Sequence, residues 1–475
     1  MRRRIFRTET ALVVVYSCCA LAGANLQFTT LLTMPGGING TLAQGTDGNF
    51  YGTISSGGSG VGPCSPDCGT VFRMTPQGVL TTIYNFCSQP NCADGWQAQS
   101  PLVLGNDGNF YGTTHWGGTG YFGTIFKITP AGVLTTLYSF ACSPTICPDG
   151  SSPAGTPLVQ AAGGSFYGGT PTGGANTIGT IFKITPEGAL TTLYNFCSAA
   201  NCADGAGWGP SVMVQAQNGN FYGTTIAGGA LNCPNGSGCG TVFGMNPSGA
   251  LKTIYDFCAQ PSCADGSQPV AGLVQTADGD FYGTTSYGGA NGGGTVFRIT
   301  PGGALTTLYS FTASTPSVPN STLVEGANGN FYGTSSSYPQ RSTIYEIAPN
   351  GKLTVLHQFP PYAEAQGLVQ GTDGLLYGAS FSRITGGAVF SLSTGLPPLV
   401  NPVPQAGHIG TAVIILGTNL TGATAVTFNG TPAAFTVVSP TEITTTVPAG
   451  ASTGRIQVTT PNGTLWNVGR FVVTK

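Results

Sequence analysis

The sequence predicts an all-β fold: a seven-bladed β-propeller closed by an N-terminal strand and followed by an immunoglobulin-like β-sandwich. Three observations carry this. A tyrosine block recurs at Tyr51, Tyr111, Tyr167, Tyr222, Tyr282, Tyr332 and Tyr377, as in "DGNFYGT" and "DGDFYGTT", seven copies 45 to 60 residues apart. A second block recurs in step with it, from "GTVFRMTP" at 69–76 to "GAVFSLST" at 387–394. A third, "LTTLYSF" or a variant, begins at Leu80, Leu134, Leu190, Leu251, Leu305 and Leu353, and its seventh copy, "FTTLLTM" at Phe28, precedes all the others. Fixed periods of this length are the mark of repeat architectures.

Each block is short, rich in Thr, Val, Ile, Phe and Tyr, and bounded by Gly, Pro, Asn or Asp, which are the properties of a strand. A "LV" segment ahead of each Asp/Asn-Gly supplies a fourth, as in "SPLVLGNDGNFYGTT". Asp-Gly and Asn-Gly predict a two-residue hairpin with positive φ at both turn positions. Four antiparallel strands per period, repeated seven times, describe propeller blades. The displaced N-terminal copy completes the last blade, which lacks its own fourth strand, and removes an exposed edge at the seam. The first-to-second and third-to-fourth connections are short, whereas the other two are long, Gly-rich and variable. Long and short loops therefore lie on opposite faces, and function is expected on the long-loop face.

Composition sets the class. Only 7% of the 475 residues are charged, Gly accounts for 75, and the net charge is -2. Such a balance gives no electrostatic reason to expect nucleic acid or an anionic membrane as partner. With 40% hydrophobic and 10% aromatic residues, a large core forms in spite of the low charge. Residues 1–24 read as a signal peptide: Arg2, Arg3, Arg4 and Arg7, an apolar stretch from Ala11 to Ala22, then Ala22-Gly23-Ala24 as cleavage site. Two other readings compete, a twin-arginine signal at Arg3-Arg4 and a lipoprotein acceptor at Cys18 or Cys19. No other segment is long and apolar enough to cross a membrane. The expectation is an extracytoplasmic, monomeric chain with a propeller over 25–397 and a sandwich over 398–475.

The C-terminal segment contains "VIILGTNL", "AVTFNG", "SPTEITTTVP" and "GRIQVTTPNG", and in that order it resembles an IPT/TIG immunoglobulin-like domain. The repeats, typified by "GLVQTADGDFYGTTSYGGANGGGTVFRITPGGALTTLYSF" at 272–311, resemble the GloVer-type tandem repeat of bacterial exported and surface proteins. That resemblance implies an extracytoplasmic bacterial protein and no particular chemistry. Members often end in a surface-anchoring segment, a pattern from which the closing "GRFVVTK" departs.

Beyond Cys18 and Cys19, twelve cysteines form close pairs: Cys64/Cys68, Cys87/Cys92, Cys142/Cys147, Cys197/Cys202, Cys233/Cys239 and Cys258/Cys263. Local pairing beside an export signal favours disulfides over a metal site or a redox pair, since no histidine neighbours a pair and no spacing is the two of redox motifs. No metal or cofactor is expected. Asp94, Asp149, Asp204 and Asp265 follow the second cysteine of four pairs, each before Gly. They are either turn residues bonding their own loop or a ring of carboxylates for calcium or sugar hydroxyls. Trp96, Trp116, Trp208 and Tyr287 fall in the same loops, either to stack on sugar rings or to cap their own loops as small cores. Trp466, in the sandwich, is expected in the core. Catalysis has one candidate, His115, without a Ser/His/Asp or paired-carboxylate pattern. The leading expectation is a non-catalytic protein recognising carbohydrate or cell-envelope material. The alternatives are an extracellular polysaccharide lyase or hydrolase working at the pore mouth, and a structural spacer.

Overall fold

The computed structural model describes residues 26–474, apart from short loop stretches at 35, 39, 59–62, 66, 144–145, 154, 211–212, 230–232, 234–237, 313–316, 337–340, 383 and 385. The export signal read in 1–24 lies outside the described residues. The repeats form antiparallel sheets of the β-propeller type, and in all but the last the strands follow one another in sequence order. We number them sheets 1 to 7, spanning 43–85, 103–139, 159–195, 206–256, 274–312, 324–358 and 363–393. Sheet 4 carries an additional strand, Ala206–Pro210. The last three-stranded repeat takes Gln27–Met34 as its fourth strand, in register from Gln27 opposite Ser393 to Met34 opposite Gly387.

The hairpin turn differs from the one expected. Gly48 and Gly108 take positive φ, but the aspartates before them do not. The chain makes a three-residue loop, closed by Gly45 N–H on the Asn49 carbonyl at 2.8 Å, with only the glycine left-handed. Asp47 is then free to accept from the backbone N–H of Asn49 and from the hydroxyl of Tyr51, at 3.1 and 2.9 Å. The same hydroxyl bond joins Tyr111 to Asp107 and Tyr377 to Asp373. Where the repeat has Asn, the amide donates instead, from Asn218 to Tyr222 and from Asn328 to Tyr332. The turn acid and the tyrosine are thus one device, giving a buried phenol a partner.

Sheets join through the Phe-Tyr pair of that block. Tyr51 stacks on Phe110, Tyr111 on Phe166, Tyr167 on Phe221, Tyr222 on Phe281 and Tyr282 on Phe331, with centroids 4.0 to 4.3 Å apart. Tyr332 shares a core cluster with Leu376, and Tyr377 of sheet 7 meets Phe50 of sheet 1 at 4.1 Å. A second tie runs along the innermost strands. The backbone N–H of Thr372, Asn106, Ala162 and Gln217 donates to the side chains of Gln44, Gln160, Gln215 and Gln275 on the following sheet. At the outer edge, Gly132 has φ +88, and a Cβ there would lie 2.3 Å from the carbonyl oxygen of Ile83. Replacing Gly132 by Ala is therefore expected to cost about 2 kcal/mol or more, read as a lowered urea midpoint at unchanged slope.

The added N-terminal strand carries a titratable contact. Phe28 lies flat on His357, 3.6 Å between centroids and 2° between planes, and also packs on Phe359 and Phe390. Burial pulls the His357 imidazole down to about 4. The unfolded chain binds its proton near pH 6.5, the folded chain only near 4, so stability falls as pH drops through that window and levels off below it. The expected loss is on the order of 1 kcal/mol, discounted for the water that still reaches the ring. Melting curves from pH 7 to 4 should show it, and His357→Phe should remove that component.

The C-terminal unit is a sandwich of two four-stranded sheets with a parallel pair joining 406–407 to 472–473. The strand Ala412–Leu416 explains its unbroken apolar run. Val413 and Ile415 point into the sandwich core, and Ile414 and Leu416 pack on Leu102 and Leu104 of sheet 2. A strand buried on both faces has no polar alternation. Trp466, expected inside, is 45% exposed. It lies on the edge strand Gly463–Trp466, where its neighbour Leu465 takes the inward position.

Candidate functional site

The short-turn face is covered. Thr441 donates to the Thr46 carbonyl at 2.7 Å, and the Thr372 and Thr418 hydroxyls bond at 2.8 Å. Leu396 packs beside Tyr332. The innermost strands of all seven sheets, with residues 399–406, line one cavity of about 550 Å³. The sandwich also explains two departures from the inner-strand glutamines. Leu104 packs on Ile414 and Leu416, and Glu325 faces the charge of Arg455 while burial raises its carboxyl to about 7. The long loops occupy the opposite face.

There the six cysteine pairs are disulfides: Cys64–Cys68, Cys87–Cys92, Cys142–Cys147, Cys197–Cys202, Cys233–Cys239 and Cys258–Cys263. Each closes a short ring worth ~2 kcal/mol of unfolded-chain entropy. Within the ring a 3-10 turn forms at Pro90–Cys92, Ala200–Cys202 and Pro261–Cys263.

The aspartates are spent inside these loops. Asp94 is fully buried and accepts from the Tyr84 hydroxyl at 2.8 Å and from the backbone N–H of Ser88 and Gln89. Asp204 repeats this with Tyr194, Ser198 and Ala199, and Asp265 with Tyr255, Ala259 and Gln260. Asp149 takes Tyr138 at 2.7 Å and Thr192 at 3.1 Å. Burial, and then the neighbouring carboxylate, push the four phenols well above their ordinary range. These geometries favour the loop-anchoring role over a ring of ligand carboxylates. The signal was legible: a tyrosine stands ten or eleven residues before each aspartate.

The aromatics are unequal. Trp96 and Trp116 come together across adjoining loops, paired by two backbone hydrogen bonds, with ring centroids 6.2 Å apart and planes 27° off parallel. His115 continues the row at 4.6 Å from Trp116, its Nδ1 3.2 Å from the Gln99 side-chain oxygen, and burial lowers its pKa. Both indoles are half-buried, and Trp96 rests on the cluster of Cys64, Cys68, Cys87 and Cys92. Tyr121, 59% exposed on the same loop as Trp116, is an aromatic that sequence reading did not single out. At the equivalent bridge of sheet 5, Ser267 pairs with Tyr287, which is 49% exposed; elsewhere the pair is Ser151 with Thr172. Counting from its aspartate, Trp208 stands two places beyond the Trp96 position; its strand pairs Ala206 with Ala227, and its side chain lies outside the described residues. The row Trp96–Trp116–His115 is thus particular to the start of sheet 2.

Fold and site together define a disulfide-stapled repeat protein of the β-propeller type carrying an immunoglobulin-like module. The chain belongs to the Gloeobacter/Verrucomicrobia repeat family, whose model matches residues 37–260 and 197–392, and an IPT/TIG domain matches 399–471. Among solved structures it is similar to a streptogramin B lyase, at 15% identity and TM-score 0.51 over 78% of this chain and 97% of the other. A catalytically inactive virginiamycin B lyase from Staphylococcus aureus, solved with quinupristin, aligns with the same identity and TM-score over 78% and 99%. A likeness at this identity shows the fold alone. No curated protein matches the chain in sequence.

Proposed function

We propose that the seven sheets close into a seven-bladed propeller over 25–397, that the module over 398–475 holds its short-turn mouth, and that the long-loop face binds carbohydrate outside the cytoplasm. The observation that carries the reading is the Trp96–Trp116–His115 row, set on a disulfide-braced base at the face that the sandwich leaves uncovered. Half-buried aromatic rings set in a row suit contact with the apolar face of a sugar, and a rigid base lowers the ordering cost of binding. Gln99, its side-chain oxygen 3.2 Å from His115 Nδ1, stands beside the row as a hydroxyl partner. Six disulfides support an exported chain.

A glycan array probed with the mature chain tests this. Binding to a defined glycan set is expected, with affinity falling about tenfold or more in Trp116→Ala and Trp96→Ala. Trp208→Ala, off the row, is expected to bind as the parent does. An array without signal would leave the spacer role, and cleavage of an arrayed polysaccharide would establish the lyase or hydrolase reading instead.

A further inference from the structure

Four of the six disulfides stand in two pairs. In sheet 1, Cys64–Cys68 of one long loop packs against Cys87–Cys92 of the next, forming a cluster of their own under Trp96. The Sγ atoms of Cys64, Cys87 and Cys92 all lie within 4.8 Å of one another, and all three residues are buried. Sheet 4 repeats the arrangement: Cys233, Cys239 and Cys258 meet the same 4.8 Å limit, with Cys263 bonded to Cys258. Cys142–Cys147 and Cys197–Cys202, in sheets 2 and 3, belong to no such group among the described residues.

We infer that these two four-cysteine clusters are alternative metal sites, each binding one tetrahedral thiolate-seeking cation such as Zn²⁺ when its disulfides are reduced. A tetrahedral Zn–S₄ centre has sulfur–sulfur edges of about 3.8 Å, so unbonded sulfurs at the 4.8 Å limit need to close by only ~1 Å, while each bonded pair moves apart to that edge once its disulfide is reduced. The spacings are three and four intervening residues in the first cluster and five and four in the second, within or one beyond the two to four usual for structural zinc. The first loop is closed at its base by the Gly69 N–H on the Gly57 carbonyl and the second by Asp94 accepting from Tyr84, which keeps the four thiols together after the bonds break.

The chemistry balances with a phosphine as reductant. Each disulfide takes two electrons and two protons, giving two thiols, while a phosphine and a water become a phosphine oxide. Two phosphines thus open one cluster. Zn²⁺ then displaces four thiol protons to form a tetrathiolate; dioxygen reverses this, taking four electrons and four protons to become two waters while the two disulfides re-form and the ion is released. The same sulfurs would brace the loops in either redox state, by covalent bonds when oxidised and by the ion when reduced.

The test uses the full chain, with Co²⁺ and Zn²⁺ as probes. Chain held in excess phosphine should take up two ions, and Co²⁺ should give the intense visible bands of tetrahedral thiolate ligation. Oxidised chain should take up none. Cys64→Ser or Cys233→Ser should each lower the count to one, and Cys142→Ser should leave it at two. A reduced chain that binds neither ion would overturn the inference. So would thiolate bands that persist in the Cys64→Ser/Cys233→Ser double variant, or reduced loops that proteases cut equally fast with and without Zn²⁺.

Discussion

Removing residues 26–34 is expected to cost at least about 5 kcal/mol and to leave a chain that aggregates at micromolar concentration. The segment Gln27–Met34 is the outermost strand of sheet 7, and its loss uncovers the hydrogen-bonding edge of Gly386–Ser393. Phe28 withdraws from Phe359, Phe390 and His357, and Leu31, Leu32 and Met34 from the cluster holding Phe72, Met74 and Val389. Deleting one buried aromatic commonly costs about 3–5 kcal/mol, and the net stability of a domain is only ~5–15. An open, apolar strand edge also invites pairing between chains. Thermal melting with light scattering reads both effects. A truncated chain that melts with the parent and stays monomeric would show that this strand holds nothing closed.

Tyr377→Ala is expected to destabilise by about 3–5 kcal/mol, as much as Tyr111→Ala. Tyr377 is 1% exposed, meets Phe50 of sheet 1 at 4.1 Å, and donates to Asp373 at 2.7 Å. Tyr111 makes the same contacts with Phe166 and Asp107 between consecutive sheets. Equal losses are what a closed ring requires, because the seam between sheets 7 and 1 then bears the same load as any other. Tyr377→Phe should cost only about 1 kcal/mol, since it keeps the ring stack and loses one hydrogen bond. Urea unfolding of the four proteins settles the comparison, and a Tyr377→Ala loss under half that of Tyr111→Ala would mark an open seam.

The strand order was legible because each strand carries its own composition and each turn its own glycine. The disulfides were legible because the paired cysteines are neighbours in sequence, and a loop of five residues keeps them close whatever the fold. The aspartates were harder. "CADG" reads first as a turn, with a ligand set as the alternative, and the tyrosine ten residues earlier that reaches back to it, as Tyr84 does to Asp94, shows what the carboxylate bonds. The tryptophans were harder still. Trp96, Trp116 and Trp208 look alike in composition, and nothing in the sequence shows that Trp96 and Trp116 are brought together by a backbone bridge between adjoining loops. Trp466 was misplaced because an edge strand has a wet side that alternation alone does not reveal.

By itself the sequence determined the repeated sheets, the N-terminal strand that completes the last of them, the six staples and the C-terminal sandwich. All of these rest on contacts between residues near in sequence or on a periodic pattern. Only the tertiary structure decided which turns the sandwich packs on, which aromatics form a row and which disulfides lie side by side. Those depend on how loops from neighbouring repeats approach one another, and no local pattern encodes that distance.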